Sequence, residues 1–140
     1  MLRILVIFIG ILYLSVLSGT AQDWVGMQDD SIKKVIKIEF PDFALNTSMV
    51  NKSYHYLKYE KYDGMQTMLV FLDDSNKCRY VKSIYDYNEW KRVLSYFNET
   101  LTRQNDSLWS YIKENREITK ELKKEDWFFT VVTKSRNVKD

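Results

Sequence analysis

The stretch YHYLKYEKYDGMQTMLVFLD, residues 54–73, consists of two β-compatible runs on either side of Asp63-Gly64. An Asp-Gly pair favours a tight hairpin turn with positive φ at both positions. Residues whose numbers sum to 127 then lie opposite one another. His55/Leu72, Leu57/Val70 and Tyr59/Met68 share an apolar face that should meet the core. Tyr54/Asp73, Tyr56/Phe71, Lys58/Leu69, Glu60/Thr67 and Tyr62/Met65 share a mixed one. The unbroken apolar run Met68–Leu72 suits a central strand covered on both sides.

Outward from the hairpin, Asp73-Asp74-Ser75-Asn76-Lys77 reads as a turn and Cys78–Tyr85 as the next strand. Loops of three, four or five residues all suit that turn, so its register stays open. A four-residue loop brings Tyr56, Phe71 and Tyr80 into one row on the mixed face. Asp86 with Glu89 three residues on is a capping-box spacing, and it opens an amphipathic helix over about 86–104. Tyr87, Trp90, Val93, Leu94, Phe97 and Leu101 make its apolar stripe. Earlier in the chain, Ile32, Ile36, Ile38 and Phe40 share one face, with Lys34 breaking the series, and Lys33, Val35, Lys37 and Glu39 lie opposite, which predicts a strand over 33–40, ended by Pro41. Residues 42–53 lack a period and are expected to form a loop.

Leu108–Lys113, Glu117–Lys123 and Trp127–Lys134 are the remaining expected strands, with Glu114-Asn115-Arg116 and Lys124-Glu125-Asp126 as turns and 135–140 as a frayed tail. The middle segment is also a fair helix by propensity, but the alternation of Ile118, Lys120 and Leu122 favours a strand. The expectation is an α+β domain, an antiparallel β-sheet of about six to seven strands packed on one main amphipathic helix. No internal repeat is visible.

At the N-terminus, Met1-Leu2-Arg3, an apolar run Ile4–Leu17 and then Ser18-Gly19-Thr20-Ala21 follow the layout of a secretory signal peptide cut after Ala21. The expected location is secreted or periplasmic; the alternative is an anchor by an uncleaved N-terminal segment, the one route to a membrane. Cleavage leaves residues 22–140 as a single domain with a short polar lead-in. Losing Arg3 leaves 20 basic against 19 acidic side chains. That near-balance, with charges interleaved along the chain, argues against a nucleic-acid partner. One cysteine excludes an internal disulfide, so the fold depends on its apolar core.

Chemistry-bearing residues are sparse. His55 is the sole histidine and Cys78 the sole cysteine, too few for a zinc site of nitrogen and sulfur ligands. The 73–76 turn lacks the spacing of a calcium loop, and no glycine-rich phosphate loop occurs, so neither metal nor cofactor is expected. Glu39, Glu60, Asp73 and Glu121 are the carboxylates on or beside strands, and no spacing singles out a pair. Four N-x-S/T sequons start at Asn46, Asn51, Asn98 and Asn105, against about one expected by chance. They bear on a eukaryotic secretory pathway only.

The expected function is a small exported, non-catalytic domain. It would bind a protein, a glycan or an envelope component through an aromatic-rich sheet face carrying Tyr56, Phe71 and Tyr80. In the competing account that row is a minor second core. The alternative function is a small hydrolase using carboxylates or His55.

Overall fold

The structure is a computed structural model that describes residues 23–47 and 55–138. The expected signal peptide, Gln22 of the expected lead-in, the expected 42–53 loop beyond Thr47, Tyr54 and the last two residues of the expected tail lie outside the described residues. Among those described, no helix is long and apolar enough to cross a membrane.

The fold is α+β: among the described residues there are two α-helices and one antiparallel eight-stranded sheet. Helix α1 (Asp29–Glu39) precedes strands β1 (Phe43–Asn46), β2 (Tyr56–Lys61), β3 (Gln66–Leu72) and β4 (Cys78–Asp86). Helix α2 (Trp90–Thr100) precedes β5 (Thr102–Arg103), β6 (Leu108–Lys113), β7 (Arg116–Lys124) and β8 (Phe128–Asn137).

The sheet order β1-β2-β3-β4-β8-β7-β6-β5 reads alike from either edge. Each half is a helix followed by a four-stranded meander, and the last strands, β4 and β8, join antiparallel at the centre. The rows that cross the sheet make the relation concrete. One runs Tyr59–Met68–Ser83–Val131–Leu122, the other Trp109–Lys120–Thr133–Val81–Val70. Tyr59 corresponds to Trp109, Met68 to Lys120, and Ser83 to Thr133. The helices match as well: Ile32, Ile36 and Phe40 recur at intervals of four, as do Val93, Phe97 and Leu101. No repeat is legible in the sequence because only volume and polarity class are shared at these positions, and at Lys120 not even polarity.

Both helices pack on the same face. Ile32 and Ile36 join Tyr59, Met68, Val70 and Val81 in one apolar cluster, while Val93 and Phe97 join Trp109, Leu122, Phe129 and Val131 in the other. These strand residues alternate with the outward set, so one face is core and the opposite face carries no described helix.

The expected strand at 33–40 is helix α1. Ile32, Ile36 and Phe40 are buried at i, i+4 and i+8, the helical repeat, whereas Ile38, which the alternation needs on their face, is 78% exposed. Asp29 and Asp30 in the first turn and Lys37 in the last favour the helix dipole, and Lys33 Nζ donates to Asp29 Oδ2 at 2.9 Å, one turn back. Ile38→Lys is therefore expected to change unfolding free energy by less than about 0.5 kcal/mol in urea titrations. A loss of several times that would restore the strand reading.

Other boundaries shift too. The expected loop after Pro41 contains edge strand β1, paired with β2 from Phe43↔Lys61 to Asn46↔Lys58. Helix α2 ends at Thr100 rather than near 104, because Thr102 and Arg103 pair with Ser110 and Trp109. A 3-10 turn at Tyr87–Glu89 precedes it. Asp86 accepts from the Asn88 backbone N–H, but the reciprocal half of the capping box is absent: the Asp86 N–H goes to the Met65 carbonyl and Glu89 takes Arg92. The expected tail is ordered as far as Asn137, because β8 pairs with β7 to Arg116↔Asn137. The lead-in is part of the fold: Trp24 is buried against Phe40, and the Gly26 N–H donates to the Cys78 carbonyl at 2.7 Å.

The hairpin register agrees with the sum rule at all five paired positions of β2 and β3. Its turn does not. Only Gly64 has positive φ (75°), within a wider loop in which the Gly64 N–H bonds the Lys61 carbonyl and Asp63 Oδ1 accepts from the Met65 N–H. The tight turn with two positive φ angles occurs instead at Glu114 (49°) and Asn115 (62°), between β6 and β7.

Candidate binding face

Strand alternation sends Tyr56, Lys58, Leu69, Phe71, Tyr80, Lys82, Ile84, Val132, Lys134 and Thr119 to the helix-free face of the sheet. The 73–77 turn makes the link. Asp73 Oδ1 accepts from the backbone N–H groups of Ser75 and Lys77, and Asn76 takes the left-handed conformation. These bonds hold the Asp73 carboxyl below its ordinary range. The turn has five residues between the paired Leu72 and Cys78, not the four expected to form the row, and Arg79, the extra residue of a β-bulge, sets Tyr80 opposite Phe71.

Tyr56, Phe71 and Tyr80 accordingly lie side by side on three adjacent strands. Tyr56 and Phe71 have ring centroids 5.5 Å apart with a 46° tilt, and Phe71 and Tyr80 stack at 4.4 Å and 16°. All three are half-buried and belong to neither apolar cluster. Because Phe71 and Tyr80 lie face to face, one face of each ring is spent on the other. The three rings form a half-buried ridge, with two phenol hydroxyls along it.

Across the central seam the ridge meets basic side chains. Lys82 follows Tyr80 on the same face of β4. Lys134 lies opposite Tyr80, one step beyond the Val81↔Thr133 pair. Among the described residues neither has an ion-pair partner, whereas Lys58 pairs with Glu60 at 2.7 Å and Arg136 pairs with Glu117. Beyond Lys134 a shallow cleft of about 350 Å³ is lined by Leu108, Glu117, Thr119, Lys134 and Arg136. Gln104 reaches over its rim, Nε2 donating to Ser110 Oγ at 2.8 Å. The alternation that exposes Tyr80 also exposes Lys82, so that residue was readable from sequence; Lys134 was not, since it arrives through the β4–β8 pairing.

The residues weighed for catalysis are scattered. His55 is exposed at the entrance to β2, its carbonyl accepting from the Leu72 N–H. Cys78 is buried, and burial together with the Asp73 charge pushes its thiol up to about 12, so it is protonated at neutral pH. Glu39 is exposed at the end of α1 and Glu121 on β7; Glu60 is held by Lys58 and Asn46. No group of three or more His, Cys, Asp or Glu able to hold a metal occurs among the described residues. Of the sequons, Asn98 and Asn105 are exposed, the latter accepting at Oδ1 from the Ser107 backbone. Asn46 lies in β1 rather than in a loop, and Asn51 is outside the described residues.

The strongest perturbations sit in the interior. Lys120, 2% exposed, donates from Nζ to Thr133 Oγ1 at 3.0 Å, and burial pulls its ammonium down to about 8 against a smaller opposing effect of the Asp23 charge. Asp23, from the lead-in, lies close to Arg116 and Lys113 (3.3 and 3.4 Å). Burial raises Tyr85 and Tyr111 to about 12. Lys120 is closed off beneath the helices, away from the outer cleft, so its perturbation belongs to packing. No family model matches this chain, and neither a curated protein nor a solved structure matches it.

Proposed function

We propose that this protein is a non-catalytic binding module, exported as its N-terminal layout implies, whose helix-free sheet face docks a protein partner. The observation that carries the reading is the Tyr56–Phe71–Tyr80 ridge, half-exposed on the face opposite both helices. Aromatic side chains that leave an apolar edge and a hydroxyl in water are the type enriched in protein interfaces, where they bury area with little loss of rotamer freedom. A glycan partner is the weaker version. Sugar rings stack on open aromatic faces, and here Phe71 and Tyr80 each spend one face on the other.

Tyr56→Ser with Tyr80→Ser tests this. Capture of partners from the native compartment should be lost in the double variant while its far-ultraviolet circular dichroism matches the parent. Equal capture by both proteins would defeat the proposal. A collapsed spectrum would show instead that the ridge is a second core. Binding that passes to oligosaccharides and is lost with the same substitutions would replace a protein partner by a glycan.

A further inference from the structure

We infer, resting on that docking reading, that the partner presents an acidic segment whose carboxylates meet Lys82 and Lys134 while its apolar side chains bury the aromatic ridge. Three observations converge beside Tyr80. Lys82 and Lys134 are diagonal neighbours across the β4–β8 seam, and such neighbours lie about 7 Å apart. Their ammonium groups lack acidic partners among the described residues, although other basic groups of the same face, Lys58 and Arg136, are neutralised locally. The stacked Phe71 and Tyr80 rings add half-buried apolar surface beside these lysines for the segment's apolar side chains.

Acidic groups on this face are placed so as to orient the segment. Glu60 and Glu117 are engaged by Lys58 and Arg136. Glu121 lies beyond Val132 from Lys82, because Val132 pairs with both, and it stands diagonal to Lys134, which pairs with Thr119. Negative charge is therefore welcome from the ridge to the seam and opposed past it. An acidic chain running along the ridge, with carboxylates over the seam, satisfies both conditions. Charge complementarity of this kind raises the association rate and sets specificity, and it weakens with salt.

The test uses a fluorescent twelve-residue peptide of alternating Glu and Leu, its Lys-Leu counterpart, and dextran sulfate as a non-peptide polyanion. The Glu-Leu peptide should bind the parent protein, at least about tenfold more weakly at 300 mM than at 50 mM salt, and the Lys-Leu peptide should not. Lys82→Glu with Lys134→Glu should weaken Glu-Leu binding at least about tenfold, and Lys134→Glu alone should fall between, with unchanged circular dichroism. No binding of the Glu-Leu peptide, or equal binding of both peptides, overturns the inference. So does binding of dextran sulfate alone, which would make the ligand an anionic glycan. If natural-partner capture survives the lysine substitutions but is lost in Tyr56→Ser/Tyr80→Ser, the acidic segment is wrong and the docking face stands. If capture survives both pairs, both readings fall.

Discussion

Trp109→Ala is expected to remove about 3–5 kcal/mol of folding free energy, the range for truncating a large, fully buried aromatic. Trp109 is completely buried on β6 and packs on Phe97 at 5.5 Å. Its Nε1 donates to Asn98 Oδ1 at 3.1 Å, and the Arg103 guanidinium lies 5.7 Å from its ring centre. The side chain thus ties α2, β5 and β6 into one unit at the edge of the sheet, where β5 is only two residues long. A domain of this size has roughly 5–15 kcal/mol in total, so the variant should unfold about 10–20 °C lower in a thermal melt. Trp127→Ala is the control: Trp127 is 86% exposed in the β7–β8 turn and should shift stability by less than about 0.5 kcal/mol. Equal effects at the two tryptophans would contradict the packing described here.

The second large effect has the opposite sign. Lys120→Met should stabilise the protein at pH 7 by about 1–3 kcal/mol. Met is the residue at the matching place in the other half, Met68, which is fully buried in the same kind of row. Burial lowers Lys120 from 10.5 to about 8, corresponding to about 3 kcal/mol of stability forgone while the folded protein keeps the ammonium charged. Replacing it leaves Thr133 Oγ1 without its donor, which offsets about 1 kcal/mol of that gain.

The pH dependence follows from the direction of the shift. Below about pH 8 Lys120 is protonated in both states and the full penalty applies. Between about 8 and 10.5 the unfolded chain holds more proton than the folded one, so the parent gains stability as pH rises. The advantage of Lys120→Met should therefore shrink between pH 7 and pH 9.5 in urea unfolding. Tyr85 and Tyr111, both raised to about 12, are common to the two proteins and cancel in the comparison. A variant less stable than the parent at pH 7 would show that the buried ammonium has favourable partners that outweigh its desolvation.

The contrast between Ile36 and Ile38 shows where reading the chain alone ran out. Four alternating residues fit a strand and Ile32, Ile36 and Phe40 fit a helix equally well on paper, because periods of 2 and 4 coincide at every fourth residue. The odd member, Ile38, distinguishes them, and only its 78% exposure reveals which period won. The aromatic row was half legible. Tyr56 opposite Phe71 follows from the hairpin sum, whereas Tyr80 joins them only through the β-bulge at Arg79, which sets it opposite Phe71 after the five-residue 73–77 turn. In a strand Lys120 shares the face of Ile118 and Leu122, yet nothing local says that this face is sealed by helices.

Local pattern alone was thus enough for the class of fold, the strands from 108 onward, the amphipathic stripe of α2 and the two-faced hairpin, because each rests on interactions spanning a few residues or one turn. Which strand lies beside which, the joining of β4 to β8, the doubling of the helix–meander unit and the meeting of Tyr80 with Lys134 came from the three-dimensional arrangement. Those pairings link residues some fifty positions apart, and backbone hydrogen bonds between strands are chemically alike whatever the side chains. Only burying both apolar clusters against one face selects among them.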